Sequence, residues 1–484
     1  MANCTFESKD CLPFENKNNN QTLLDETMRR LCNYWYDVQS RRDADEEPIA
    51  SLQTRFYNKE ISTRWWAGRY IGIAHLLIPK PRADYKQVKI SIRPRFGENF
   101  LLALIEDVYN IKTPKQEADI ETNYSNEWFS ALLRLLRRKM WIDKCAKANR
   151  YGLPRKTVKR EYKGVTLHGA IDVRHTIVSW QSHKEVCTFT YEKAMDEQIG
   201  KILYEANRIL TKDAISFQQR KKSKNSKNNK NSVFGFSVPS VVQDTINLLN
   251  IQYKGMIFDV RENDYKRIRY KSIYQSWKPL VDFSWDVICG KQSSFKASES
   301  ISDCVFIDMA EIWEAFLRKK LGEAFRNDGW RVLTVEECKF VIYQNTFYER
   351  SIIPDIIMER DGKYIVFDAK YKRMLGINDD VDRTDLFQIH TYVQYVERCM
   401  GEVVLAGLLY PITSEQVNED TYHSISLFGK NKGNRSPFII DGIVCKENDK
   451  DSIITIEAQK ENIDNNVDAM IKRIKGKLKE KTVN

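Results

Sequence analysis

The stretch Ser351–Lys372, SIIPDIIMERDGKYIVFDAKYK, constrains this chain more than any other, because it reads as a hairpin with acids at its open end. Two short apolar runs, Ile352–Met358 and Tyr364–Ala369, flank Asp361-Gly362, a dipeptide that favours a two-residue turn. With those two residues in the turn, Arg360 faces Lys363, and counting outward places Asp355 opposite Asp368. Cross-strand neighbours have Cβ atoms about 5 Å apart, so two like charges there repel. Lys370 lies two residues beyond Asp368 and therefore on the same face. An acidic pair with a lysine beside it suits a hard divalent cation such as Mg²⁺. Against this stands the plain fact that Asp-x-Lys on a strand is common by chance. The neighbours of the hairpin decide between the two.

Upstream, Asp308 to Phe325 is amphipathic, with Met309, Ile312, Trp313, Phe316, Leu317 and Leu321 on one stripe. Glu311 falls opposite that stripe and Glu314 at its margin, so Glu314 is the acid able to reach a site beside the sheet. Thr334 to Tyr343 reads as a strand. Downstream, Leu386 to Met400 reads as a helix whose neighbouring face carries Gln388, Tyr392 and Tyr395. Val403 to Tyr410, closed by Pro411, fits a buried parallel strand. Ile463 to Leu478 is a Lys-rich terminal helix. The expected fold is α/β and multi-domain: a C-terminal mixed sheet flanked by helices, preceded by an α+β N-terminal half.

In that N-terminal half, residues 1 to about 25 read as polar and poorly ordered. Trp65–Ile78 and Val88–Ile92 read as strands, and Trp65, Trp66 and Tyr70 as core rather than a base-stacking surface. Tyr124–Lys147 is an expected helix, Glu161–Trp180 paired strands, Tyr191–Leu210 a helix, and Val238–Tyr253 another. Arg220–Ser232, RKKSKNSKNNKNS, reads as a flexible basic loop, and the aromatic-rich Tyr265–Val287 as a connection. Expected region boundaries are 1–110, 111–289 and 290–484.

Composition excludes several classes. No apolar run approaches the roughly 18 residues of a membrane span, and the N-terminus lacks the pattern of a signal peptide, so no membrane association and a cytoplasmic location are expected. Ten scattered cysteines and six histidines show no zinc-ligand spacing, which leaves reduced core cysteines. The net charge of +11 mildly favours a polyanionic partner. No G-x-x-x-x-G-K-[ST] is present, and GKNKGNRS lacks its spacing, so this chain alone is not expected to bind nucleotide.

Pro354-Asp355 with Asp368-Ala369-Lys370, preceded by Glu314 and followed by Gln388-x-x-x-Tyr392, resembles the P-D-(D/E)-x-K nuclease superfamily and its RecB-like branch. The similarity extends to McrC, the nuclease subunit of McrBC modification-dependent restriction systems, and to its LlaJI-like relatives, which belong to systems that read unmodified sites. It rests on YIGIAHL, VKISIRPRFG, YGLPRKTVKREYKGVTLHGAIDV, YEKAMDEQIGKILYEANRIL and MAEIWEAFL, which span most of residues 65–411. Gly200 stands where the family commonly has Asn, and the basic insertion at 220–232 is peculiar to this chain.

The resemblance implies a Mg²⁺-dependent (or Mn²⁺-dependent) endonuclease acting on double-stranded DNA beside a McrB-like AAA+ GTPase hexamer, with 1–110 as the partner-binding region. It implies Asp355, Asp368 and the Ala369 carbonyl as metal ligands, and Glu314 at a second ion or through water. Lys370 would orient the attacking water, Gln388 and Tyr392 would support it, and Lys372 would meet a DNA phosphate. Two alternatives stay open: a regulatory module docking on an AAA+ ring with a vestigial nuclease, and a stand-alone repair or mobile-element nuclease.

Overall fold

The computed structural model describes residues 4–15, 21–39, 48–57, 60–79, 85–111, 126–224, 236–292, 301–342, 350–372, 382–413, 424–426, 437–445 and 455–482, which form a mixture of strands and helices. The N-terminal part runs β1 (Cys4–Lys9), α1 (Gln21–Gln39), β2 (Ala50–Tyr57), β3 (Glu60–Ala67), β4 (Tyr70–Pro79), β5 (Tyr85–Arg93), α2 (Glu98–Tyr109) and α3 (Asn126–Ala148). The middle part comprises β6 (Arg155–Gly164), β7 (Ala170–Ile171), α4 (Val173–His183), β8 (Val186–Met195), α5 (Glu197–Lys224), α6 (Ser240–Tyr253), α7 (Glu262–Lys266) and α8 (Lys278–Gln292). The C-terminal part opens with β9 (Ile301–Asp308), α9 (Met309–Arg326), β10 (Arg331–Val332), β11 (Phe340–Ile342), β12 (Arg350–Ile352), β13 (Ile356–Arg360) and β14 (Lys363–Ala369). It ends with α10 (Arg383–Cys399), β15 (Glu402–Thr413), β16 (Ser424–Ser426), β17 (Pro437–Cys445) and α11 (Ile456–Thr482).

Where the sequence divides into three consecutive regions, the backbone forms two compact units. The first unit takes Met1–Leu133, Asn229–Phe236 and Lys296–Asn484; the second takes Arg134–Asn228 and Ser237–Phe295. Among the described residues no helix is long and apolar enough to cross a membrane. All ten cysteines are free thiols, Cys4, Cys145, Cys304, Cys338 and Cys445 being buried.

In the first unit, one sheet has the order β1-β5-β4-β9, with β1 parallel to β5 and the other pairs antiparallel. The expectation that residues 1 to about 25 lack order therefore fails for 4–15 and 21–25, while 1–3 and 16–20 lie outside the described residues. Cys4, Phe6 and Ser8 point inward while Glu7 and Lys9 face water, and three inward positions suffice once β5 supplies a ladder. Helix α1 begins within the same stretch, at Gln21. Trp65, Trp66 and Tyr70 are buried as core.

The second sheet of this unit has the order β10-β13-β14-β15-β17-β16, parallel through β14, β15 and β17 and antiparallel toward both edges. Helix α10 covers one face, packing Ile389, Val393 and Val396 on Ile357, Val366, Ala406 and Leu408. The strand expected to close at Pro411 continues to Thr413. Leu409 turns its carbonyl toward β14, where Lys370 N donates to it at 2.9 Å. Pro411, two residues on, faces the same side past the end of β14, so its missing N–H breaks no ladder bond. The strand expected over Thr334–Tyr343 is also shorter. Glu337 Oε2 accepts from Thr334 N at 2.7 Å and folds the chain into a tight turn, which leaves Phe340–Ile342 as the strand; Tyr343 lies outside the described residues.

The second unit holds the antiparallel sheet β6-β8-β7 and helices α4, α5, α6 and α8. Two expectations fail here for one reason. Asp172 accepts from His175 N at 3.2 Å and starts α4 inside the expected strand pair; Asp196 accepts from Gln198 N at 3.1 Å and delays α5 until Glu197, leaving β8 to run to Met195. An N-cap carboxylate overrides the alternation around it. Residues 220–224 of the expected loop continue α5 as helix, and 225–232 lie outside the described residues. The aromatic stretch expected as a connection forms core instead, with Trp277, Leu280, Val281 and Trp285 buried.

Candidate active site

The turn chemistry that marks the hairpin sets its register. Asp361 and Gly362 both adopt positive φ, 52° and 74°, the combination a type I′ turn requires. Arg360 pairs with Lys363 and Ile356 with Phe367. One step beyond the last pair stands Asp355 opposite Asp368, as the sequence predicts. The Asp355 carboxylate also folds over the next residue, accepting from Ala369 N at 2.8 Å.

Continuing that register places Pro354 opposite Ala369. A hydrogen-bonded pair at this position would exchange two main-chain bonds, but proline has no N–H to give. The Ala369 carbonyl is thereby left without a ladder donor from the facing chain, on the side where the carboxylates meet.

Asp368 is 1% exposed, and neither carboxylate oxygen has a hydrogen-bond donor in good geometry. Lys370 Nζ lies 2.9 Å from Asp368 Oδ2 as an ion pair. Burial raises the Asp368 pKa well above the usual carboxylate range, and the charge of Asp355 adds to it. Asp355 is raised as well, first by burial. For Lys370, burial opposes the charge, but Asp368, Asp385 and Asp355 outweigh it and raise its pKa. Two adjoining carboxylates out of water ionise together only with added positive charge. Unsatisfied buried oxygens, a spare carbonyl and hard-oxygen chemistry fit a divalent cation held by Asp355, Asp368 and Ala369.

Glu314 acts on the pair through its charge. Its charge raises the pKa of Asp355 and of Tyr392 after burial and other neighbours, yet among the described residues no three His, Cys, Asp or Glu side chains converge as a metal cluster.

Gln388 and Tyr392 meet the site in series: Lys370 Nζ donates to Gln388 Oε1 at 2.6 Å, and Gln388 Nε2 donates to Tyr392 Oη at 2.6 Å. The i, i+4 spacing on α10 puts both side chains on one face, with the amide aimed at the lysine. Lys372 is paired internally, 2.7 Å from Asp385 and 3.2 Å from Asp382.

Two further site residues escape a reading of the sequence. Asp385, 3% exposed, receives Lys370 at 3.6 Å and Lys372 at 2.7 Å, and accepts from Tyr410 Oη at 3.0 Å. Its only linear signal is an acid three residues before Gln388; Tyr410 reads as one more apolar strand residue. The departure at Gly200, in the second unit, has a steric cause. A Cβ there would meet Tyr253 Oη at 2.7 Å, so the glycine makes room for that ring.

A model of the family described as McrBC 5-methylcytosine restriction system component matches residues 67–411. No curated protein matches the chain. Among solved structures, it is similar to a refined half-complex from a tetradecameric assembly of Thermococcus gammatolerans McrB AAA+ hexamers with bound McrC. Identity is 12% and the TM-score 0.39, over 96% of this chain and 100% of that one. It is also similar to the cryo-EM structure of the Thermococcus gammatolerans McrBC complex, at 12% identity and a TM-score of 0.31, over 67% of this chain and 88% of that one.

Proposed function

The chain belongs to the McrBC 5-methylcytosine restriction system component family, and on that premise we propose that it is the subunit that cuts DNA. The observation that carries this reading is Asp368: a carboxylate 1% exposed, beside Asp355, with Lys370 2.9 Å from Oδ2 and no donor in good hydrogen-bond geometry. A buried acid pair in which one carboxylate is poorly satisfied is a cost to folding that a metal-dependent phosphodiesterase has reason to keep.

Asp355, Asp368 and the Ala369 carbonyl would hold Mg²⁺ or Mn²⁺, which supplies Lewis-acid charge to the scissile phosphate and a more acidic water. Lys370, fixed between Asp368 and Gln388, would orient the attacking water. Gln388 hands its own orientation to Tyr392. Glu314, whose charge acts on Asp355, would meet a second ion or a water. Lys372 serves Asp385 before any phosphate.

The reading includes a McrB-like AAA+ GTPase hexamer as partner and double-stranded DNA as substrate. Exposed apolar residues such as Val165, Ile251 and Ile257 favour the second unit over residues 1–110 as the surface for that partner. The test is copurification with the neighbouring-gene product, followed by cleavage of methylated and unmethylated DNA with GTP and Mg²⁺. Metal-dependent cutting by the complex supports the reading. A complex that turns over GTP and never cuts either DNA sinks it.

A further inference from the structure

We propose that Arg318 is a positioning residue for the metal site, its guanidinium standing in for a strand that is missing beside Asp355. The inference rests on the nuclease reading of that site.

The register shows the gap. β10 pairs with β13 through Arg331↔Glu359 and Val332↔Met358, and Leu333 N then donates to Ile357 O at 2.8 Å. Extending this ladder would bring the N–H of residue 335 to the carbonyl of Asp355. The chain instead turns away at Thr334, folded by Glu337. The carbonyls of Asp355 and Leu333 are thus stranded where the edge stops, and an unpaired main-chain carbonyl is costly when partly covered.

Arg318 fills that gap. Nη1 donates to Asp355 O, and Nη2 donates to Leu333 O at 2.6 Å. A planar guanidinium presents five donors in a rigid fork, which lets it hold two carbonyls at once in fixed geometry. Among the described residues Arg318 makes no ion pair with a carboxylate, so its charge is not consumed there. Arg318 lies one helical turn beyond Glu314 on α9. A single helix therefore brings both an acid and a clamp to the site.

The consequence concerns the backbone of Asp355. Pro354-Asp355 precedes β13, so strand pairing holds the residue on neither side. One anchor is its own side chain on Ala369 N; the other is Arg318 on its carbonyl. Without the second, the carboxylate keeps its chemistry and loses its fixed position. Loss of an outer-shell partner lowers metal affinity by about 10- to 100-fold.

The experiment is calorimetric titration of Mn²⁺ into metal-free, full-length protein, comparing the natural chain with Arg318→Met, Arg318→Lys and Asp368→Ala. Arg318→Met should bind Mn²⁺ about 10- to 100-fold more weakly. Arg318→Lys, which can hold one carbonyl, should fall between them, and it keeps the test usable if the methionine variant does not fold. Cleavage by Arg318→Met should recover as Mn²⁺ is raised, a dependence that general destabilisation does not produce. Unchanged Mn²⁺ affinity in both arginine variants overturns the clamp. A natural chain that takes up no Mn²⁺ overturns the nuclease reading and the clamp with it; uptake unaffected by Asp368→Ala places the metal elsewhere and does the same.

Discussion

The open end of the β13–β14 hairpin and the three-stranded sheet of the second unit carry charge in opposite ways. On β6, Lys156 meets Asp196 at 2.7 Å, Arg160 meets Glu192 at 2.9 Å and Lys163 meets Glu185 at 3.5 Å, each basic partner standing largely in water. Around Asp368 the acids are covered, crowded and short of donors. The sheet's charges are answered from within the chain and by solvent. The hairpin's charges are answered only in part, by Lys370. What separates the two regions is the basic partner: Lys156, Arg160 and Lys163 are 44%, 59% and 54% exposed, Lys370 15%.

The largest expected effect breaks that comparison at the hairpin. Asp368→Ala and Lys370→Ala should each slow metal-dependent cleavage by the complex about a thousandfold, the equivalent of several kcal/mol of lost charge stabilisation. If both variants cut at the normal rate, the site lies elsewhere.

A second measurement asks whether the crowding opposes folding. Asp368→Asn keeps the shape and removes one of two adjoining charges, so the metal-free protein should gain about 1–2 kcal/mol in urea unfolding while losing cleavage. A loss of stability would mean that Lys370 already satisfies the pair.

Asp308 sits between the extremes. It caps α9 by accepting from Ala310 N at 2.8 Å and meets Arg69 at 2.9 Å, yet burial raises its pKa to about 6. In the unfolded chain the value is about 4. The folded state therefore holds the proton more tightly, and the associated stability is lost as pH rises from about 4 to about 6. Asp308→Asn preserves a cap and removes the titration. Its stability relative to the natural chain should rise by about 1–2 kcal/mol between pH 4 and pH 7, limited because 21% of the side chain still meets solvent. A constant difference across that range would place the carboxyl with the exposed pairs.

The smallest effect belongs to the sheet. Arg160→Ala should change stability by no more than about 1 kcal/mol, since the pair with Glu192 is 59% and 43% exposed. A larger loss would show that the second unit depends on its surface charges.

Several residues were legible because their reasons are local. Asp361-Gly362 supplies its own turn, the period of two carries the register to Asp355 and Asp368, and Lys370 follows by parity. Gln388 and Tyr392 follow from a helical wheel. Misreadings arose where a single carboxylate competed with the surrounding pattern: Asp172 and Asp196 cap helices inside expected strand and helix runs, and Glu337 bends an expected strand. Those signals were present as acids before helical stretches, but apolar alternation outweighed them.

What the sequence determined by itself is the hairpin, its acids and the lysine on their face, because turn type and side-chain alternation need no information from distant residues. Only the tertiary structure decided how that constellation is held. Arg318 meets Asp355 across 37 positions, Tyr410 meets Asp385 across 25, and Asp385 gathers Lys370 and Lys372. A helical wheel tells which way such a side chain points, but its target exists only once the chain has closed those loops and brought the two backbones together.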